Sequence, residues 1–422
     1  MKTLSKSSLQ DWLYRLEQMQ PDKIELGLER IKQVATATGL DHPQFRIITV
    51  AGTNGKGSTV AYCEAILSDL GYRTGVYTSP HFVEFNERIV VDNKRVDDGL
   101  LCEAFDAIES CRDNVALTYF EFTTLAAVYC FSAAKIDVAI LEVGLGGRLD
   151  AVNAWDSDIA CISSIGIDHI DWLGDDRESI GHEKACVARH GKVLVCGDTN
   201  PPKSIAATVN NIGATLAQRN HDFHADRVDK HQWSYRDAKQ NLLLPHPAIA
   251  GDWACDNAAV AICTIGHFLD TPPVQSSIER ALAQVTMTGR MQTLKKDNIT
   301  VILDVAHNAA AAEKLAGFLS EHPAEGVTRA VFACMQDKDV TAIVKTMSPC
   351  VGQWYIAEID YPRAKTAEEI QREILRHGQT DTEVFASVIT ATRAAVAQSA
   401  VQDRIVVFGS FHVVGPALEA LT

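Results

Sequence analysis

A lysine set among glycines lies between a β-branched run and an apolar helical pattern in "ITVAGTNGKGSTVAYCEAIL", residues 48–67. Gly52 and Gly55 let the backbone turn tightly and approach a ligand, and from Ser58 onward a helix is expected to begin with its free N–H groups facing the loop. Such a turn binds phosphate. Lys56 adds a point charge within reach of terminal phosphates, and the hydroxyl of Ser58 or Thr59 is placed for a magnesium ion. The spacing departs from the usual phosphate-loop pattern, with Val50 where that pattern has glycine and Gly57 where it has Ser or Thr. Read blandly, the stretch is a glycine-rich strand-to-helix turn and nothing more.

Further candidates lie at strand ends. Glu142 interrupts the apolar run "DVAILEVG" where open parallel sheets place ligands, although a strand-end carboxylate is often only solvated or paired with arginine. His169 follows the strand "DIACISSI" at the same kind of edge, and Ser79, before Pro80, reads alone as a turn residue. In "DRESIGHEKACVARH", Lys184 has Ile180, Val187 and Ala188 at i−4, i+3 and i+4, so it projects from the apolar face of a helix. The ordinary explanation is a snorkelling stem with its ammonium in water. A semi-buried lysine instead has a lowered pKa, and a neutral amine can capture carbon dioxide as a carbamate.

These residues need a frame to hold them. Strands are expected at 46–50, 74–79, 137–143, 158–165 and 192–197, with helical patterns between them, such as Val60, Cys63, Leu67 and Leu70 closed by Gly71. Near-continuous apolar runs suit a parallel sheet covered on both faces, hence an α/β architecture. From about 198 to 250 a polar, His- and Asp-rich texture predicts short antiparallel strands and loops. The alternation resumes with strands at 300–305, 329–335, 353–359 and 404–410, and Thr366 and Glu369 are spaced as a capping box. The expected organisation is a phosphate-loop mononucleotide-binding domain with a mostly parallel sheet over 1–289, a linker at 290–298, and a smaller Rossmann-like α/β domain over 299–422.

Composition narrows the class. A formal charge of −15, from 39 Lys and Arg against 54 Asp and Glu, argues against a nucleic-acid surface, so an anionic ligand must be met locally. The eleven cysteines, without CxxC spacings, read as reduced core thiols. No apolar run approaches membrane-spanning length, no export signal is apparent, and the expected compartment is the cytoplasm.

The variant "GTNGK" resembles the ATP loop of the Mur ligase superfamily, and "GTNGKGS" looks like folylpolyglutamate synthases. "YTSPH" (77–81), "LEVGLGGRLDAVN" (141–153), "DHIDWLGDDRESIGHEK" (168–184), "TGRMQ" (288–292), "DVAHN" (304–308) and "GSFH" (409–412) follow in that family's order and spacing. The resemblance implies transfer of the ATP γ-phosphate to a carboxylate and attack of the glutamate amine on the acyl phosphate. It assigns Gly52, Thr53, Asn54, Gly55, Lys56, Gly57, Ser58 and Thr59 to ATP, with Asn257 on the adenine side, Arg290 at the phosphates and Asp304 at the ribose. Two magnesium sites are implied, held by Ser58, Ser79, Glu142, His169 and a carboxylated Lys184; Lys56, His169, Lys184, Arg290 and His307 are the implied catalytic set, with Ser410 beside the acceptor.

The acceptor follows from a separate stretch. "DKIELGLERI" (22–31) is similar to the dihydropteroate-binding segment of bifunctional bacterial members, which implies Glu25, Leu26, Gly27 and Leu28 as contacts. Thr118, Tyr119, Phe120 and Glu121, with Leu149, Asp150 and Ala151, are implied in the same pterin pocket. Without the family, the first stretch is an amphipathic helix face and the aromatics are core. Dihydropteroate, reduced folates and L-glutamate are therefore the expected substrates, and a monomer the expected state. A Mur-type ligase of cell-wall precursors is the alternative, expected to carry a further domain before the loop strand, where about 45 residues stand here. Polyglutamylation alone, or a nucleotide switch without an acceptor pocket, are the others.

Overall fold

Apolar strands with no polar face need cover on both sides, and the computed structural model of the chain supplies it. The structure describes residues 8–19, 25–251, 253–269 and 271–421. The chain divides into two compact units, Met1–Pro247 with Cys255–Val285, and Ala248–Ala254 with Thr286–Thr422.

The main sheet of the first unit is built from β1 (Arg46–Ala51), β2 (Thr74–Tyr77), β3 (Ile89–Val91), β4 (Lys94–Arg95), β5 (Val138–Glu142), β6 (Ile159–Ile162), β7 (Val193–Cys196) and β8 (Thr215–Gln218). They lie in the order β4-β3-β2-β5-β1-β6-β7-β8. Only β3 and β4 run antiparallel to their neighbours; the other pairings are parallel. In central β1, Ile47, Thr49 and Ala51 point one way and Ile48 and Val50 the other, and none is more than 3% exposed. Each fully buried Ile or Val contributes about 1.5–3 kcal/mol of transfer free energy, which fixes this strand at the centre. Pairing Val50 with Glu142 and Cys161 brings the ends of β5 and β6 beside the start of the glycine loop.

The 198–250 region departs from expectation. Residues Lys203–Ile212 form an amphipathic helix, and β8 extends the main sheet in parallel. Antiparallel pairing is confined to a separate three-stranded sheet of β9 (His224–Arg227), β10 (Gln232–Arg236) and β11 (Asn241–Pro245). The polar texture hid the helix because only Ile205, Thr208 and Val209 face the interior.

The second unit carries β12 (Gln292–Lys296), β13 (Ile299–Leu303), β14 (Thr328–Phe332), β15 (Gln353–Ala357), β16 (Thr382–Phe385) and β17 (Arg404–Phe408), in the order β12-β13-β17-β14-β15-β16. The stretch read as a linker, 290–298, contains β12, the antiparallel edge strand of this sheet. Both sheets are mostly parallel and helix-bearing, the α/β class expected. The Thr366–Glu369 capping box forms, opening the helix Ala367–Arg376. All eleven cysteines are free thiols, most of them buried. Among the described residues no helix is long and apolar enough to cross a membrane.

Candidate active site

The loop after β1 closes more tightly than its spacing suggests. Gly55, at φ 89°, is the N-cap, so the helix Lys56–Asp69 starts two residues before Ser58. Its first backbone bond runs from Thr59 N–H to the Gly55 carbonyl at 2.9 Å, which leaves the N–H groups of Lys56, Gly57 and Ser58 ahead of the helical ladder. A Cβ at Gly55 would lie 2.3 Å from Asn257 Oδ1, and one at Gly52 would lie 1.9 Å from Ser163 Oγ. Glycine is thus required twice, and Asn257, on the helix Trp253–Phe268, is packed against the loop.

Two residues that sequence reasoning missed shape this loop. Ser163 Oγ and Ser164 Oγ donate to the Asn54 carbonyl at 2.7 and 2.9 Å, and Thr53 Oγ1 pairs with the backbone of Gly166. Their only signal was a pair of small hydroxyls ending the strand "CISS". Between the two hydroxyls offered for a metal, the structure distinguishes: Thr59 Oγ1 donates to the Gly55 carbonyl at 3.0 Å, whereas buried Ser58 Oγ has no hydrogen-bond partner among the described residues.

Lys56 Nζ folds back onto the carbonyls of Gly52 and Thr53, at 3.1 and 3.3 Å. Lys184 Nζ donates to the same Gly52 carbonyl, also at 3.1 Å. Lys184 is 5% exposed, so the snorkelling arrangement does not occur. Its helix ends at Ala185, and Val187 and Ala188 pack beyond that end rather than continuing the helical face. Burial first, then the nearby Lys56 charge, push the Lys184 pKa down to about 7, while Asp168, Asp150 and Glu183 oppose the shift. Two amines converging on one carbonyl create a site for an anion.

Buried Glu142 ends β5 and accepts from the Ser79 N–H at 3.2 Å. His169 takes a left-handed conformation, φ 54°, and its N–H donates to Asp168 Oδ1 at 2.9 Å. The turn carrying it is held to the loop through Gly166 and Thr53.

Of the segment 22–31, residues 22–24 lie outside the described residues. The rest meets the other two acceptor stretches: Gly27 N–H donates to the Leu149 carbonyl at 3.3 Å, and Arg30 bridges Glu25 at 2.8 Å and Glu121 at 3.2 Å. Sequence reasoning passed over Arg30. Leu26 and Leu28 are half-buried, and Ala151 is buried beside Asp150. Thr118 and Glu121 form a reciprocal capping box on the helix Tyr119–Ala134, leaving Tyr119 and Phe120 half-buried at its start. Phe120 packs 5.8 Å from Tyr77 and so close to Gly144 that a Cβ there would meet its ring at 2.7 Å. Asp150 accepts from the N–H groups of Leu145 and Val152, yet burial pushes its pKa up to about 6.

In the second unit, Asp304 follows β13 and accepts from the N–H groups of Met291 and Ala306 at 2.9 and 2.8 Å. Burial raises its pKa against the nearby Arg290 charge. The Arg290 guanidinium lies 5.5 Å from the Phe411 ring. His307 Nδ1 pairs with the Val305 carbonyl at 2.8 Å, and Ser410 Oγ, after β17, is buried without a hydrogen-bond partner among the described residues. Arg290, Asp304, His307 and Ser410 therefore gather at the carboxyl ends of β13 and β17.

A glycine loop opening a helix in one α/β unit, and charged strand ends in a second, define the Mur ligase class. The Mur ligase middle domain matches residues 50–265 and the Mur ligase glutamate ligase domain residues 289–411, so the chain belongs to the Mur ligase family, within its dihydrofolate synthase/folylpolyglutamate synthase group. It is 40% identical over 416 residues to the dihydrofolate synthase/folylpolyglutamate synthase of Escherichia coli, covering 98% of this chain and 96% of that one. The Haemophilus influenzae protein of the same name is 36% identical, with 98% of each covered. Among solved structures, E. coli FolC in complex with DHPP and ADP superposes with a TM-score of 0.92 at 39% identity, covering 98% of this chain and 97% of that one. The Yersinia pestis bifunctional enzyme complexed with AMPPNP and Mn ion gives 0.90 at 41%, with 98% of each covered.

Proposed function

We propose that the chain is an ATP-dependent C–N ligase that adds L-glutamate to dihydropteroate, forming dihydrofolate, and to reduced folates, extending the glutamate tail. The observation that carries this reading is the convergence of Lys56 and Lys184 on the Gly52 carbonyl at the head of a helix, one strand over from Glu142. A carboxylate is a poor electrophile, and bringing it to a triphosphate is mainly a matter of neutralising two anions and aligning them. The N–H groups of residues 56–58 and the Lys56 ammonium hold the phosphates.

Ser58 Oγ, buried and without a partner among the described residues, together with Glu142 and Ser79, offers the hard oxygen donors that suit magnesium. His169 and carboxylated Lys184 complete two proposed sites. When bound, magnesium supplies further charge neutralisation at the phosphate oxygens. In its neutral form Lys184 can add its lone pair to carbon dioxide and release a proton to solvent, replacing a cation with a carbamate. Asn257 is assigned to adenine, Arg290 and Asp304 to phosphate and ribose, His307 to the catalytic set with Lys56, His169, Lys184 and Arg290, and Ser410 to the acceptor. Residues 25–28, 118–121 and 149–151 form the proposed pterin site. The proposed state is a monomer in the cytoplasm.

Phosphate release measured with dihydropteroate, tetrahydrofolate and Mur precursors, each with and without glutamate, tests this. Glutamate-dependent release is expected with the first two acceptors. Release with tetrahydrofolate alone removes the dual assignment, and release only with Mur precursors removes the folate reading.

A further inference from the structure

A thiol and an imidazole that the proposed ligase chemistry does not use are paired in the first unit. Cys255 is the third residue of the helix Trp253–Phe268 and is 8% exposed, and its Sγ lies 3.4 Å from Nδ1 of half-buried His246. His246 is fixed by the backbone: its Nε2 lies 2.9 Å from the Asp229 carbonyl, and its N–H donates to the His231 carbonyl at 3.0 Å. A carbonyl only accepts, so Nε2 carries the ring hydrogen and Nδ1 presents its lone pair to the thiol. The sulfur is therefore hydrogen-bonded to a base whose tautomer the fold sets.

A second observation concerns the atom that oxidation would add. The Tyr62 hydroxyl, on the helix Lys56–Asp69, is fully buried and has no hydrogen-bond partner among the described residues. Burial first, then the Cys255 charge, push its pKa up, which sets the thiol near this hydroxyl. A buried donor left unpaired is costly, and one oxygen on Cys255 Sγ would supply the missing acceptor. The first turn of a helix also favours the thiolate over the thiol.

We infer that Cys255 is a modification site for hydroperoxides, with His246 as its base and Tyr62 as the donor that holds the added oxygen. The site lies outside the proposed ligase machinery and does not rest on that reading. His246 Nδ1 takes the thiol proton, and the thiolate attacks the terminal oxygen of the peroxide. The S–O bond forms as the O–O bond breaks, and the departing hydroxide or alkoxide takes the proton back from Nδ1, leaving as water or alcohol. Sulfur gives up two electrons to the peroxide and becomes a sulfenic acid, and the imidazole returns to its starting state. A thiol bonded to histidine only for packing would react no faster than an ordinary one.

The test exposes the full chain to excess hydrogen peroxide at pH 7 for graded times. Catalase then removes the peroxide, the chain is unfolded, and the remaining thiols are alkylated with iodoacetamide and quantified residue by residue by mass spectrometry. Exposed Cys111 is the reference, and buried Cys63 reports on the fold. An ordinary thiol is only a few per cent ionised at pH 7, so full ionisation, partly offset by the lower nucleophilicity of an acidic thiol, predicts oxidation of Cys255 about tenfold faster than Cys111. Dithiothreitol should restore the thiol. His246→Asn keeps a hydrogen-bonding group but no base, and is expected to slow Cys255 to the Cys111 rate with Cys63 still protected. Tyr62→Phe should leave the first step unchanged while more of the product proceeds to the sulfinic acid; an unchanged sulfinic fraction removes the Tyr62 role. Oxidation of Cys255 no faster than that of Cys111 overturns the inference, as does an unchanged rate in His246→Asn. If that variant exposes Cys63, the comparison within the unaltered chain still decides.

Discussion

An amine shut away from water beside a second amine does not keep its proton at the usual lysine pH. Lys184 has its pKa pushed from 10.5 down to about 7 by burial and by Lys56. Between those values the unfolded chain holds a proton that the folded chain has released, so folding stability rises with pH across that interval. The slope of urea-unfolding free energy against pH, in buffer free of carbon dioxide, is therefore expected to flatten in Lys184→Met. An unchanged slope would contradict the burial of a neutral amine. The same amine makes a chemical prediction: Lys184→Ala loses ligase activity, short carboxylic acids restore part of it, and a nucleotide-bound crystal shows extra density at the lysine tip. A bare lysine in that crystal contradicts the carbamate.

The glycine loop can be tested as an element. Gly55→Ala combines a left-handed φ of 89° with a Cβ placed 2.3 Å from Asn257 Oδ1. Strain of about 1–3 kcal/mol translates into weaker binding of an ATP analogue by roughly tenfold or more, read by calorimetry. Gly39→Ala, at φ 71° with open space around it, is the control: about 1–2 kcal/mol of stability lost and nucleotide affinity unchanged. Equal nucleotide affinity in both variants would show that the loop tolerates a side chain. Removing the Thr366 cap by Thr366→Ala should cost about 1 kcal/mol in chemical unfolding, with no change in nucleotide affinity.

The strands divide into those the sequence announces and those it conceals, and the division is physical. β1, β5, β6, β13, β14 and β17 are interior strands whose apolar runs need cover on both faces. β4, β8, β12 and β16 lie at sheet edges with half or more of their residues partly solvated, so they look like loops. The site divides in the same way. Glu142 and Lys184 stand out as charges in apolar surroundings, and Gly52 and Gly55 as breaks between a strand and a helix. Ser163, Ser164 and Arg30 act on partners brought close by folding, as with the 109 positions separating Ser163 from Asn54 and the 91 separating Arg30 from Glu121, and a pair of small hydroxyls or a single arginine is too common locally to mark them.

Taken whole, the chain carries a net charge of −15, yet the proposed chemistry joins two anionic substrates. Positive charge must therefore be concentrated where it is used: Lys56 and Lys184 at the loop, and Arg290 at the strand ends of the second unit. Divalent ions complete that balance, so chelation with excess EDTA should abolish turnover and added magnesium should restore it. Full turnover in EDTA would remove the proposed metal role. Activation of the acid by phosphorylation can be measured directly. Dihydropteroate labelled with heavy oxygen in its carboxyl group is supplied with ATP and glutamate, and the released inorganic phosphate is analysed by mass spectrometry. One labelled oxygen per phosphate is expected, because the bridging oxygen of an acyl phosphate departs with the phosphate when the amine attacks. Unlabelled phosphate accompanying dihydrofolate formation would contradict the acyl phosphate route.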